Sequence, residues 1–299
     1  MTMVEPRTPN AALKMPRDQA VLVVQGEDRP GLVSAISTIL ADVGANTISL
    51  DQFSDNPSGG TFFQRTVFAL ESLSAVRPAL EQTLARSLGE DLGMSWRLID
   101  RSVPKRVAIL ASKSDHCLLD LLWRQRRGDL PATIPMVISN HVDVAEDVRS
   151  FGIPFFHVPS GDDDKSSAEA EILKLVAGNV DLIVLARYMQ ILTPEFLERV
   201  GVPIINIHHS FLPAFIGAAP YKKAKERGVK LIGATAHYVT EDLDEGPIIE
   251  QDVVRVTHAA STPELVRAGA DVERAVLARA VTWHCEDRVL RHGRETVIL

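Results

Sequence analysis

The sequence predicts an α/β protein of two domains, a ferredoxin-like βαββαβ module followed by a doubly wound, mostly parallel sheet. Three observations carry this. A length of 299 residues corresponds to about two domains on the ~150-residue prior, and either half is long enough to bury a core. Over residues 18–101 the hydrophobic pattern runs strand, helix, strand, strand, helix, strand. From Lys105 onward strands and helices alternate one for one, as parallel strands joined by right-handed crossovers require.

In the first domain Ala20–Val24 is a short apolar strand. Leu32, Val33, Ile36, Ile39, Leu40 and Val43 then recur at helical spacing, with Pro30 fitting the first turn and Gly44 the stop. Asn46–Phe53 and Thr61–Leu70 make a hairpin around the polar turn Asp55-Asn56-Pro57-Ser58-Gly59-Gly60. Leu73–Leu88 is helical, with Val76, Leu80, Leu84 and Leu88 on one face, and Met94–Arg101 closes as a strand. Ser102-Val103-Pro104 is a linker whose proline favours extended backbone before it.

The second domain, residues 105–299, opens with a strand at Lys105–Ala111 and a helix through Cys117, Leu118, Leu121 and Leu122, with Ser114 or Asp115 as its N-cap. Strands are expected at Thr133–Ser139, Pro154–Val158 and Leu182–Ala186, and helices at Val144–Phe151 and Lys165–Ala177. Thr193-Pro194 starts a helix as N-cap and N1. Pro220–Arg227 reads as a helix, and Lys230–Val239 and Pro247–Thr257 as strands. Ser261-Thr262-Pro263-Glu264 is a capping box opening a long helix to Cys285, and Arg288–Leu299 is a hairpin turning at His292-Gly293.

Two stretches break the pattern. Pro203-Ile204-Ile205 begins as a strand buried on both faces, then runs into Asn206-Ile207-His208-His209-Ser210-Phe211-Leu212-Pro213. Polar groups at the carboxyl end of such a strand face the crevice where open α/β sheets bind ligands. Further on, His237-Tyr238-Val239 leads to Asp244-Glu245-Gly246-Pro247. Taken alone, an Asn at a strand end caps a turn and an Asp before Gly makes one.

Together the two stretches resemble the folate-dependent formyltransferase superfamily, whose pattern is Asn-x-His, a Ser-x-Leu-Pro run, then His-x-Val closing with Asp-x-Gly-Pro. The doubled His208-His209, where transferase relatives usually have His-Pro, is similar to the hydrolytic branch, the formyltetrahydrofolate deformylases. That resemblance implies hydrolysis of 10-formyltetrahydrofolate to formate and tetrahydrofolate, supplying formate and balancing the one-carbon pools connected with purine synthesis. It implies no tightly bound cofactor and no metal, the folate being substrate.

The resemblance gives Asn206 to the developing oxyanion, His208 to proton donation and Asp244 to pairing with the imidazolium and orienting water. Met189, Gln190 and Leu192 are expected in the pterin loop, and His209 and Gly246 on the substrate side. His209 either holds the water or shapes the loop. His237 and His258 read as strand residues, and His116 and His141 are undecided. Relatives often carry a polar residue where Ala219 stands.

In the first domain Asp28-Arg29-Pro30-Gly31-Leu32, Leu40-Ala41 and Gly44-Ala45-Asn46 resemble an ACT domain. This implies an amino-acid effector near Asp28, Gly31 and Asn46, and pairing into a homo-oligomer. Asp28 is equally suited to capping the helix.

Composition narrows the alternatives. A net charge of −7 is unsuited to a nucleic-acid backbone, and Arg124-Gln125-Arg126-Arg127 satisfies the carbonyls ending a helix. No apolar run approaches the ~20 residues of a membrane span. The first residues, with Glu5 and Asn10, lack an apolar signal core and read as a disordered leader, which points to the cytoplasm. Cys117 and Cys285 have no metal-ligand spacing and read as reduced structural thiols.

Ser112-Lys113-Ser114-Asp115-His116 holds no glycine to cradle a phosphate, which disfavours a phosphoribosyl acceptor. An amine formyltransferase and a non-catalytic amino-acid sensor remain as alternatives to the hydrolase.

Overall fold

The computed structural model describes residues 15–56, 58–160, 165–213 and 220–299. Ala219, the expected leader and Pro57 of the expected turn lie outside the described residues. The described residues separate into two compact units, one formed by 15–104 with 287–292 and 297–299, the other by 105–286 with 293–296.

In the first unit β1 (Gln19–Glu27), α1 (Leu32–Asp42), β2 (Asn46–Ser54), β3 (Thr61–Ala69), α2 (Leu73–Leu84) and β4 (Ser95–Asp100) follow the expected order. After α2 the helix continues as a π-helical stretch at Ala85–Glu90. The sheet order is β2-β3-β1-β4, with β1 antiparallel to both neighbours.

β1 is apolar at consecutive positions because both its faces are covered. Ala20, Leu22 and Val24 pack with Ile36, Leu40 and Leu80 beneath the helices. Val21 and Val23 point the other way and pack with Phe63, Val67 and Leu290, flanked by Val297 and Leu299. A sheet with one wet face would alternate. The last residues of the chain therefore complete this unit's core, although residues 105–299 read in sequence as one continuous domain.

The second unit contains β5 (Lys105–Ala111), α3 (His116–Arg127), β6 (Ala132–Ser139), α4 (Ala145–Ser150), β7 (Phe155–His157), α5 (Lys165–Val176), β8 (Leu182–Ala186) and α6 (Pro194–Val200). Then come β9 (Ile204–His208), α7 (Pro220–Arg227), β10 (Leu231–Tyr238), β11 (Ile248–Arg255) and α8 (Thr262–Cys285). A terminal hairpin of β12 (Val289–His292) and β13 (Glu295–Ile298) ends the chain.

The sheet is seven-stranded in the order β11-β10-β9-β8-β5-β6-β7. Pairs from β7 through β9 are parallel, and β10 is antiparallel to β9 and β11. α5 and α6 cover one face, where Ile172, Val176 and Phe196 meet Ala108, Leu110, Ile183 and Leu185. α8 packs on β9, β10 and β11, with α3 beside it. From β5 the chain winds outward to β6 and β7, then returns to β8 and winds the other way to β9. The strand order thus reverses between β5 and β8, and it is at the carboxyl ends of strands at such a point that open α/β sheets place their ligand crevice.

Candidate active site

Strand geometry assembles the site. The two-residue period of β9 puts Asn206 and His208 on one face, and the antiparallel register sets His237 of β10 opposite Asn206 and Thr235 opposite His208. The loop from β10 to β11 folds back onto that sheet. Gly246 permits it, since a Cβ there would lie 1.7 Å from the Tyr238 carbonyl oxygen. Asp244 adopts a left-handed backbone with φ of 59°.

These features bring Asp244 Oδ2 to 3.1 Å from His208 Nδ1 and Oδ1 to 3.6 Å from His237 Nε2. Asn206 Nδ2 lies 3.3 Å from His237 Nε2. His237 Nδ1 donates to the Tyr238 carbonyl at 2.9 Å, because that oxygen only accepts. Burial works against charge on Asp244, but hydrogen bonds from His208 and His237 outweigh it and hold the carboxyl well below the usual carboxylate range. His208 Nε2 is buried without a hydrogen-bond partner among the described residues. A fixed imidazole with one open nitrogen is a proton-transfer group waiting for its second partner.

The neighbouring loops are pinned. Thr235 Oγ1 donates to the Ser210 carbonyl at 3.0 Å and accepts from Leu212 N at 3.1 Å and Gln251 Nε2 at 2.9 Å, fixing the turn after His209. In the crevice Ser112 Oγ, just after β5, donates to Asn140 Oδ1 at 2.7 Å and accepts from Met189 N at 3.1 Å. Thr193 N and Oγ1 both donate to buried Glu169, at 2.9 and 2.5 Å. The loop from Arg187 to Leu192 is held at both ends.

Comparison with known proteins identifies the family. A family model described as formyl transferase matches residues 105–281, and one described as ACT domain matches 20–85. The chain is 60% identical over 277 residues to a formyltetrahydrofolate deformylase of Mycobacterium tuberculosis (strain ATCC 25618 / H37Rv), covering 93% of this chain and 89% of that one. The chain belongs to the formyltetrahydrofolate deformylase family. A solved member from Pseudomonas syringae pv. tomato superposes with a TM-score of 0.88 at 46% identity, covering 95% of both chains. Glycinamide ribonucleotide transformylase 1 from Symbiobacterium toebii matches with a TM-score of 0.62 at 32% identity, covering 66% of this chain and 94% of that one.

This deformylase-family chain carries a second buried cluster beside the first. Glu273 of α8 accepts from Tyr221 Oη at 2.6 Å on Oε1, while Oε2 lies 2.8 Å from His116 Nε2 and 3.5 Å from Arg187 Nε. Burial opposes its charge, yet His116, Arg187 and Tyr221 together lower its carboxyl below the ordinary value. Cys117 lies close enough to make His116, Cys117 and Glu273 a candidate metal triad, with donor atoms within 4.8 Å of one another. The donors do not suit a cation. Glu273 is already committed to three partners, burial raises the Cys117 thiol, and the Arg187 guanidinium adds repulsion. His116, undecided from sequence, is a structural partner of Glu273.

His209 lies between the clusters, its ring 5.2 Å from that of His208 and 6.3 Å from that of Tyr221. Burial, with Arg187 and His208 nearby, pulls its pKa down to about 4, so it is uncharged at neutral pH.

The structure places the remaining expected residues as follows. Gly246, expected against substrate, is buried behind the Asp244 turn and acts through close packing. Leu192 is a core side chain packed with Tyr188 and Phe196, whereas Met189 and Ile191 are exposed. Asn46 is not among the residues lining the cavity beside Asp28 and Gly31. That cavity, about 510 Å³, is lined by Asp28, Arg29, Gly31, Ser34, Gln52 and Phe62. Asn46 sits six residues before Gln52 on the same strand, roughly 20 Å away. His237, read as a plain strand residue, is a strand residue of β10 that is also buried against Asn206 and Asp244. Its signal was the register, since pairing β9 with β10 puts it opposite Asn206.

Asp28 does not cap α1. Gly31 occupies the cap with φ of 95°, while Asp28 Oδ2 accepts from Ser54 Oγ at 2.5 Å.

Proposed function

We propose that the chain hydrolyses 10-formyltetrahydrofolate to formate and tetrahydrofolate at Asn206, His208 and Asp244. The observation that carries this is the half-satisfied imidazole of His208, fixed by Asp244 at Nδ1 and open at Nε2 beside the Asn206 amide. Asn206 donates to the oxyanion that forms at the formyl oxygen, a donor worth about 3 kcal/mol of barrier. His208 protonates the departing folate nitrogen, and Asp244 orients it and balances its charge. His237 holds Asn206 and Asp244 in place. The pterin lies against the Met189–Leu192 loop in the crevice, where Leu192 contributes backbone only.

Water is the acceptor. The loop that would cradle a phosphorylated amine has no glycine, and His116 at its end is bound to Glu273. No bound cofactor takes part. Incubating the full chain with 10-formyltetrahydrofolate alone tests the reading. Formate release supports it, strict dependence on an added amine indicates transfer, and no reaction in either case leaves a sensor.

The ACT cavity takes a free amino acid, its ammonium on Asp28 and its carboxylate on Arg29. Effector binding governs a hydrolase that otherwise drains one-carbon units, including those used for purines. β2 lies at the sheet edge with Ile48, Leu50 and Phe53 exposed, which suits pairing with a second copy into a homo-oligomer. No helix among the described residues is long and apolar enough to cross a membrane, and the buried free thiols Cys117 and Cys285 fit a cytoplasmic enzyme.

A further inference from the structure

Gly269 lies inside α8, where glycine costs about 1 kcal/mol relative to alanine. A Cβ at this position would sit 2.0 Å from Tyr221 Oη, 2.3 Å from Cζ and 2.6 Å from Cε1. The helix thus carries a notch cut for one phenol ring. One turn further along the same face stands Glu273, which takes the Tyr221 hydroxyl at 2.6 Å. Notch and tether fix the ring, and its edge meets His209 at a centroid distance of 6.3 Å and an interplanar angle of 70°. On its other side His209 meets His208 at 5.2 Å and 62°.

The adjacent imidazoles face charges of opposite sign. His208 contacts the Asp244 carboxylate, whereas His209 feels the Arg187 guanidinium that Glu273 holds in place. The carboxylate balances positive charge on His208 when it carries a proton toward the departing nitrogen.

We propose that Tyr221 is a positioning residue that fixes His209 as the group accepting a hydrogen bond from the attacking water, leaving His208 to protonate the departing nitrogen. The proposal rests on the hydrolytic reading above and assigns its water site. Water oxygen bonds to the formyl carbon and one water proton passes to His209. The carbon–nitrogen bond then breaks as the proton of His208 moves to nitrogen. Formic acid ionises to formate, and the imidazoles return to their starting states by exchange with solvent, for a net release of one proton.

The test compares wild type, H209N, Y221F, Y221L and R187M with 10-formyltetrahydrofolate alone, reading kcat and KM for formate release across pH. H209N should lower kcat by about 10²-fold. Y221L should lower kcat by roughly 10-fold with little change in KM, and Y221F, which keeps the ring, by less. Facing His209, Arg187 and His208 oppose its protonation, Glu273 and Asp244 favour it, and Tyr221 is uncharged in the working range. R187M should therefore move the acid limb of kcat to higher pH. Formate release by H209N and Y221F with wild-type kcat, or an acid limb unmoved in R187M, overturns the proposal while hydrolysis stands. No formate from wild type overturns the hydrolytic reading and the proposal with it. If Y221L fails to fold, H209N and Y221F decide.

Discussion

Asp244 and Glu273 are two carboxylates of the same unit, each bonded to a histidine, and they differ in what surrounds them. Glu273 is 2% exposed, with both carboxylate oxygens hydrogen-bonded, to Tyr221 and His116, and an ion pair at 3.5 Å to Arg187, whose Nε has no hydrogen bond among the described residues. Asp244 has a side chain 14% exposed, stands on a left-handed turn, and contacts an imidazole whose far nitrogen has no partner among the described residues. A satisfied buried network rigidifies its surroundings. An unmet donor or acceptor at a buried site is tolerable when substrate completes it. The comparison supports the proposed division, in which Asp244 serves turnover and Glu273 serves architecture.

The sharpest test is to remove charge at each site and ask what fails. D244N should lower kcat by about 10³-fold, near 4 kcal/mol of barrier, while urea denaturation shows a smaller loss. N206A should cost about 3 kcal/mol in kcat/KM through the missing oxyanion donor. E273A should instead lower unfolding stability by about 3 kcal/mol, because Arg187 is left buried without its counter-charge. If E273A loses turnover but not stability, and D244N the reverse, the two carboxylates have been assigned the wrong way round.

Acid titration sharpens the same contrast more gently. Both carboxyls lie below their ordinary values in the folded chain, through His208 and His237 for Asp244 and through His116, Arg187 and Tyr221 for Glu273, in each case against burial. A depressed folded pKa means the associated stability is fully present above the unfolded value of ~4 and is lost as pH falls toward the folded one. Melting temperature followed below pH ~4 should fall less steeply in D244N than in wild type. Equal slopes would mean that Asp244 is not held ionised by its imidazoles.

Much of this was legible in the sequence, for identifiable reasons. Strand and helix boundaries followed from period and caps, and Thr193 and Ser261 cap α6 and α8 as their residue types require. Asn206, His208 and Asp244 were visible because they match the Asn-x-His and Asp-x-Gly-Pro patterns of the formyltransferase superfamily, and the spacing of the first two puts them on one strand face. What stayed hidden depends on register or on distant pairing. His237 reaches the site through strand pairing alone, while Gly269 looks like a weak point in a helix until Tyr221 is placed against it. Leu290 belongs to the core of residues far ahead of it in the chain. Asn46 stands six residues before Gln52 along an extended strand, so closeness to the motif in sequence does not bring it to the cavity beside Asp28.

A third carboxylate extends the comparison to the other unit with a smaller effect. Asp28 is half-buried on the wall of a cavity of about 510 Å³ and accepts one side-chain hydrogen bond, from Ser54. By the criterion that separates Asp244 from Glu273, it retains acceptor capacity for a ligand. Arg29 lies next to it on the cavity wall, so the lining offers both signs of charge to a zwitterion. Truncating one partner of a charge-assisted hydrogen bond costs about 1.5 kcal/mol, or roughly tenfold in affinity. Calorimetry with a panel of free amino acids should therefore show a ligand whose affinity falls about tenfold in D28A and is unchanged in N46A, with kcat without effector unaltered in both. Loss of binding in N46A, with D28A unaffected, would move the effector to the opposite end of β2 and leave Asp28 to the Ser54 contact alone.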